Sequence, residues 1–153
     1  MGSTSHRPLF IDTSAFYARF VENDHYHESA RRVFREIQTG DAPFGRLFTS
    51  RYILTELVGL MLRQGLSHAE ISEALSAIRG SRSFTILPVG EHIFSVACRQ
   101  FHSYDDQRIS LVDHLTACLA SEYDINDIFS FDSDFETLGL TTVPRQWTSR
   151  LPQ

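Results

Sequence analysis

The stretch LFIDTSAF, residues 9–16, decides how the rest of the chain is read. Leu9–Ile11 is a short unbroken apolar run, the pattern of a strand buried on both faces. Asp12 closes it, and Asp is a favoured N-cap for a helix opening at Thr13 and Ser14. A buried strand passing directly into a helix is one β–α unit, and the same alternation recurs outward from it. Apolar runs at Leu47–Thr49, Phe84–Val89, Asp127–Phe131 and Thr141–Val143 read as further short strands. Between them the period becomes helical. Tyr26, Ala30, Val33, Phe34 and Ile37 mark an amphipathic helix entered through Asn23 or Asp24, and Ile53, Leu54, Leu57, Val58, Met61 and Leu62 mark a second. Ser67 with Glu70 forms a capping box for a third, which carries Ile71, Ala74, Leu75 and Ile78 and stops at Gly80. Two more helices cover Glu91–Ser103 and Ser110–Ser121. Strands alternating with helices imply right-handed crossovers and an α/β fold, with a mostly parallel five-stranded sheet between two helical layers.

The chain has 153 residues, 42% of them apolar, which suits one domain of roughly 100–200 residues with a sizeable core. No repeat appears, and the one linker-like passage, TGDAPFGR at 39–46, is too short to separate two domains. Residues 1–7 (MGSTSHR) read as a disordered lead-in without the apolar core of a signal peptide. No apolar run approaches the ~18 residues that cross a bilayer, so a cytoplasmic location is expected. Cys98 and Cys118 lie far apart and outside metal-ligand spacing, as small core residues on helices would. The formal charge is −5, and all fourteen basic residues are arginine. That balance excludes binding nucleic acid through excess positive charge, but not a nucleic-acid enzyme whose carboxylates are gathered at a metal site.

In a parallel sheet the ligand crevice lies beyond the carboxyl ends of the strands, so the acidic residues there carry the functional question. Asp12 ends the first strand. Glu56 lies on the flank of the apolar stripe of the second amphipathic helix, next to Ile53 and Leu60. Asp113 stands three residues after Ser110, at capping-box spacing. Asp132 and Asp134 follow the fourth strand in FSFDSDF. Each has a local explanation as a cap, a turn or a boundary residue. Their convergence on one rim is harder to explain locally. Two unit charges ~4 Å apart repel by about 4 kcal/mol at an effective dielectric of 20, so a cation is expected among them. An all-oxygen ligand set selects Mg²⁺ or Mn²⁺, and the seven histidines show no zinc spacing. His25 and His27 read as solvated residues at a helix start; His114, beside Asp113, reads as a surface residue, with an approach to the acidic site as its alternative.

These blocks, FIDTSAF, TSRYILTELVGL, SLVDHLTACLA and FSFDSDFETL in that order, resemble a PIN-domain nuclease. Within that family the chain is most similar to the small VapC-type toxins of prokaryotic toxin–antitoxin pairs. The resemblance spans residues 8–144 and leaves 145–153 as a C-terminal tail. It implies that Asp12, Glu56, Asp113 and Asp132 are catalytic, that Asp12, Asp113, Asp132 and Asp134 hold Mg²⁺ or Mn²⁺, and that Thr13, Ser14 and Ser110 support them. The implied activity is endoribonucleolytic hydrolysis of a phosphodiester, with an antitoxin protein and a second copy of the chain as partners. Arg51 and Arg108, nearest in sequence to the acidic helices, are the candidate substrate contacts, with ordinary surface positions as their alternative reading.

Two other enzyme classes fit poorly. A phosphatase of the haloacid-dehalogenase type needs an aspartate two residues after the first, where this chain has Ser14, and a receiver domain needs a lysine, which it lacks altogether. A housekeeping PIN nuclease, or a regulatory component acting mainly in complex with a partner, remain the alternatives. Setting aside the four clustered carboxylates leaves −1 of the formal charge, a nearly neutral surface whose positive groups are all arginine, suited to phosphate contacts and base stacking.

Overall fold

The computed structural model of the chain describes residues 6–144. Five strands, β1 (Arg7–Ile11), β2 (Phe44–Ser50), β3 (Phe84–Leu87), β4 (Asp127–Phe129) and β5 (Thr141–Val143), form one sheet in the order β3-β2-β1-β4-β5. Every neighbouring pair is parallel. Helices α1 (Thr13–Phe20) and α2 (His27–Thr39) connect β1 to β2, and α3 (Arg51–Arg63) and α4 (His68–Gly80) connect β2 to β3. The chain then returns through α5 (Glu91–Ser103) and α6 (Leu111–Glu122) to β4 on the far side of β1, and reaches β5 through the short α7 (Asp134–Thr137). Right-handed crossovers put α1–α4 on one face and the α5–α6 pair on the other, giving the expected three-layer α/β/α sandwich. Sheet order reverses between β1 and β4, and a crevice opens at such a switch point.

Local chemistry starts these helices where the sequence indicates. Ser67 and Glu70 make the reciprocal capping box of α4, at 3.1 Å in each direction, and Ser50 caps α3 by accepting from the Ile53 amide. Gly40, at φ 85°, closes α2 in the left-handed conformation glycine tolerates best.

Three local readings need correction. The passage 39–46 is mostly not a linker: Thr39 ends α2 and β2 already begins at Phe44, whose ring is buried while the Arg46 guanidinium lies over Phe48. α2 starts later than Asn23 or Asp24; Asp24 instead accepts from the Tyr26 amide at 3.0 Å in the preceding turn. His27 is buried, not solvated, and its Nδ1 donates to the Ala18 carbonyl at 2.7 Å, tying α2 to the end of α1.

Phe16, Phe34, Phe84 and Phe129 meet where α1 and α2 lie on the sheet, with Phe16 edge-on to Phe84 at 5.4 Å and Phe34 5.0 Å from Phe129. Cys118 is buried in α6 and Cys98 half-buried in α5. Among the described residues no helix is long and apolar enough to cross a membrane. Phe16 is fully enclosed, so Phe16→Ala should cost about 3–5 kcal/mol through lost burial and the cavity left behind. Urea unfolding of the purified variant measures this, and a loss below about 1 kcal/mol would contradict the packing described.

Candidate functional site

At the switch point Asp12 leaves β1 with 4% of its surface exposed and caps α1. Its Oδ2 accepts from Ser14 Oγ at 2.9 Å, from Ser130 Oγ at 2.8 Å and, more weakly, from the Ser14 amide at 3.3 Å. The same two hydroxyls accept in turn. Ser14 Oγ takes the Phe131 amide at 3.0 Å, and Ser130 Oγ takes the Asp132 amide at 3.0 Å. The serines therefore latch the end of β4 to the end of β1 and aim both hydroxyl protons at Asp12. This latch explains why β4 stops at Phe129 when the apolar run continues to Phe131: the Phe131 amide turns out of the ladder to Ser14.

The other carboxylates arrive from separate elements. Glu56, half-buried on α3, accepts a hydrogen bond from the buried Thr13 hydroxyl. Asp113 sits in the first turn of α6, where Ser110 Oγ accepts from its amide at 3.1 Å. Only that half of the capping box forms, because the Asp113 carboxylate turns toward the acidic cluster. Asp132 Oδ1 accepts from the Asp134 amide at 2.9 Å, in the turn that opens α7. One oxygen from each of Asp12, Glu56 and Asp113 lies within 4.8 Å of the others, and the same holds for Asp113, Asp132 and Asp134. Asp113 is thus common to both groups.

Electrostatics follow from this crowding. The Asp113 carboxyl is pushed up to about 8, first by burial and then by the charges of Asp12, Asp132, Glu56 and Asp134. Asp12 is pushed up to about 6 by burial, against the opposing hydrogen bonds from Ser130 and Ser14. Burial and the Asp132 charge also raise Asp134. Among the described residues no arginine forms an ion pair with any of the five. Clustered carboxylate oxygens, buried at Asp12 and Asp113 and half-buried at the other three, with no paired arginine among the described residues, are the donor set that a hard divalent ion fits.

Arg51 and Arg108 are exposed, Arg51 at the first residue of α3 and Arg108 in the loop before α6. His114, expected at the surface, is buried against the edges of Tyr104 and Phe101, and burial lowers its pKa. Ser130 is the site residue that sequence reasoning missed. Its only signal was a serine two positions before Asp132, in a stretch read as strand.

No protein-family model matches the sequence, and no curated protein matches it. Solved structures do. VapC20 of Mycobacterium tuberculosis, a sarcin–ricin loop cleaving toxin, superposes with a TM-score of 0.77 at 23% identity, over 87% of this chain and 96% of that one. VapBC2 of Rickettsia felis, bound to a DNA fragment from its promoter, gives 0.65 at 12% identity over 88% and 96%. VapBC-5 of M. tuberculosis, from a toxin–antitoxin family, gives 0.55 at 17% identity over 89% and 97%. The chain therefore has a VapC-like PIN fold, as its sequence blocks indicated.

Two outcomes follow from the geometry. Asp113 and Asp12 titrate above their ordinary value of 3.8, so between about pH 4 and 8 the metal-free folded protein holds protons that the unfolded chain has released. Stability then falls as pH rises through that window. In chelator, Tm should drop from about pH 5 to about pH 8, and Mn²⁺ should restore it more at the higher pH because the ion competes with protons. A flat profile without metal would contradict the cluster. Ser130→Ala, which removes one donor to Asp12, should keep the circular dichroism spectrum and weaken Mn²⁺ binding in calorimetry about 10–100-fold.

Proposed function

We propose that this chain is a Mg²⁺- or Mn²⁺-dependent endoribonuclease, the toxin of a toxin–antitoxin pair acting in the cytoplasm. The observation that carries this reading is the convergence of five carboxylates, with no paired arginine among the described residues, at the switch point of a VapC-like fold. Asp12, Asp113 and Asp132 would hold the ion together with Asp134, Asp113 being common to the two groups of carboxylates. A divalent ion there supplies positive charge against a phosphodiester and acidifies water. The protein's own part is positional. Ser14 and Ser130 fix the direction of the Asp12 carboxylate, Ser110 anchors the backbone of Asp113, and Thr13 holds Glu56 where it orients water and accepts its proton. Water deprotonated by Glu56 would then form a new P–O bond in line as the bond from phosphorus to a ribose oxygen breaks, and that oxygen would leave as a hydroxyl by taking a proton from solvent.

RNA as substrate is supported by the relative that cleaves the sarcin–ricin loop, and a DNA-binding antitoxin partner by the relative held on promoter DNA. Arg51 and Arg108 offer exposed cations to flanking phosphates. A homodimer would cover the exposed Tyr52, Leu62 and Phe101.

Asp12→Asn and Asp113→Asn are each expected to abolish Mg²⁺-dependent cleavage of RNA while the protein still melts cooperatively. Full activity in either purified variant would sink the assignment. Sequencing of new RNA ends after brief induction in cells reports activity and substrate together. Wild-type ends that vanish with Asp113→Asn are the expected result.

A further inference from the structure

Beside the acidic cluster lies a cleft of about 340 Å³, lined by Tyr26, Ser29, Phe131, Asp132, Ser133 and Pro144 among others. Its aromatic wall is built from the core outward. Phe129, fully buried in β4, supports Phe131 edge-on at 5.7 Å, and Tyr26 stacks on Phe131 at 4.3 Å with the rings 9° from parallel. Tyr26 nonetheless keeps 43% of its surface exposed. An aromatic braced on the half-buried Phe131, with the His25 ring edge-on at 4.8 Å, and left partly open to solvent has less rotamer freedom to lose on binding, which favours capture of a flat partner. Among the described residues, the Ser29 and Ser133 hydroxyls have no hydrogen-bond partner.

Charge separates the candidate occupants. Among the described residues no arginine lines the cleft, and Asp132 supplies a carboxylate, so a phosphate would be repelled there while a neutral planar group would not. Asp132 also belongs to the acidic cluster, so the cleft adjoins the proposed site of cleavage. In a nucleotide the base is one sugar away from its phosphate. We propose that this cleft seats one unpaired nucleobase of the RNA strand, with the base lying on the exposed Tyr26 ring and its edge read by the Ser29 and Ser133 hydroxyls. The inference rests on the ribonuclease reading and adds a determinant of substrate choice. A base must leave its helix to enter, so the enzyme selects single-stranded or looped RNA.

Short single-stranded RNAs carrying one 2-aminopurine test this when mixed with Mn²⁺-loaded protein in a stopped-flow instrument, where quenching by stacking is read before cutting. Wild type and Tyr26→Phe should quench the probe with similar Kd. Tyr26→Ala should weaken Kd about tenfold or more, within the range seen when a stacking aromatic is removed. Tyr26 also precedes α2, so Ser29→Leu, which fills the cleft and leaves the aromatic stack in place, provides a second arm and should give a similar loss. Absence of quenching by wild type, or unchanged Kd in both Tyr26→Ala and Ser29→Leu, overturns the proposal. Cleavage of the same RNAs is scored separately: quenching without cleavage would remove the ribonuclease reading and leave a base-binding cleft, whereas cleavage without quenching would remove the cleft alone.

Discussion

Five carboxylates that cannot all be charged together at close range are the constraint on which the rest of this structure depends. They come from the end of β1, from α3, from α6 and from the turn after β4, and hydrogen bonds fix the carboxylates of Asp12, Glu56 and Asp132. Asp12 receives two hydroxyls and sits at the positive end of α1, and Asp113 lies in the first turn of α6. For Asp12 those hydrogen bonds only partly offset burial, and at Asp113 burial and four neighbouring carboxylates all push the pKa up. The sandwich thus carries an electrostatic cost at one rim, of the kind that a bound divalent cation would relieve.

The same arrangement accounts for the charge of the chain. An acidic protein without lysine looks ill-suited to RNA when its charge is treated as uniformly spread. Five of its nineteen acidic residues are drawn into one cluster, while Arg51 and Arg108 remain exposed outside it. On the proposed reading, attraction for a polyanion would be local, from a bound ion and from individual arginines more than from a general field.

Legibility in the sequence varied with how local the governing physics was. The capping box of Ser67 and Glu70 and the span of Glu91–Ser103 could be read directly, because they depend on residues within a few positions of one another. The five strands were visible as apolar runs, since a sheet covered on both faces needs them. Where a polar residue answers to a distant partner, the reading failed. His27 and His114 have the local character of surface residues, yet one bonds a carbonyl on α1 and the other is enclosed by rings from α5 and the loop that follows it. Ser130 was invisible for the same reason, since its partner Asp12 lies 118 positions away.

The sequence by itself determined the layers, the helix starts other than that of α2, and which carboxylates were worth following, because periodicity and capping are short-range properties of the chain. Only the tertiary structure decided that Asp113 joins both halves of the cluster, that Ser14 from α1 and Ser130 after β4 brace Asp12, and that Tyr26 stands on Phe131 beside them. Those are contacts across the reversal of sheet order, where β4 returns to lie against β1. No local pattern encodes the meeting of two segments more than a hundred residues apart.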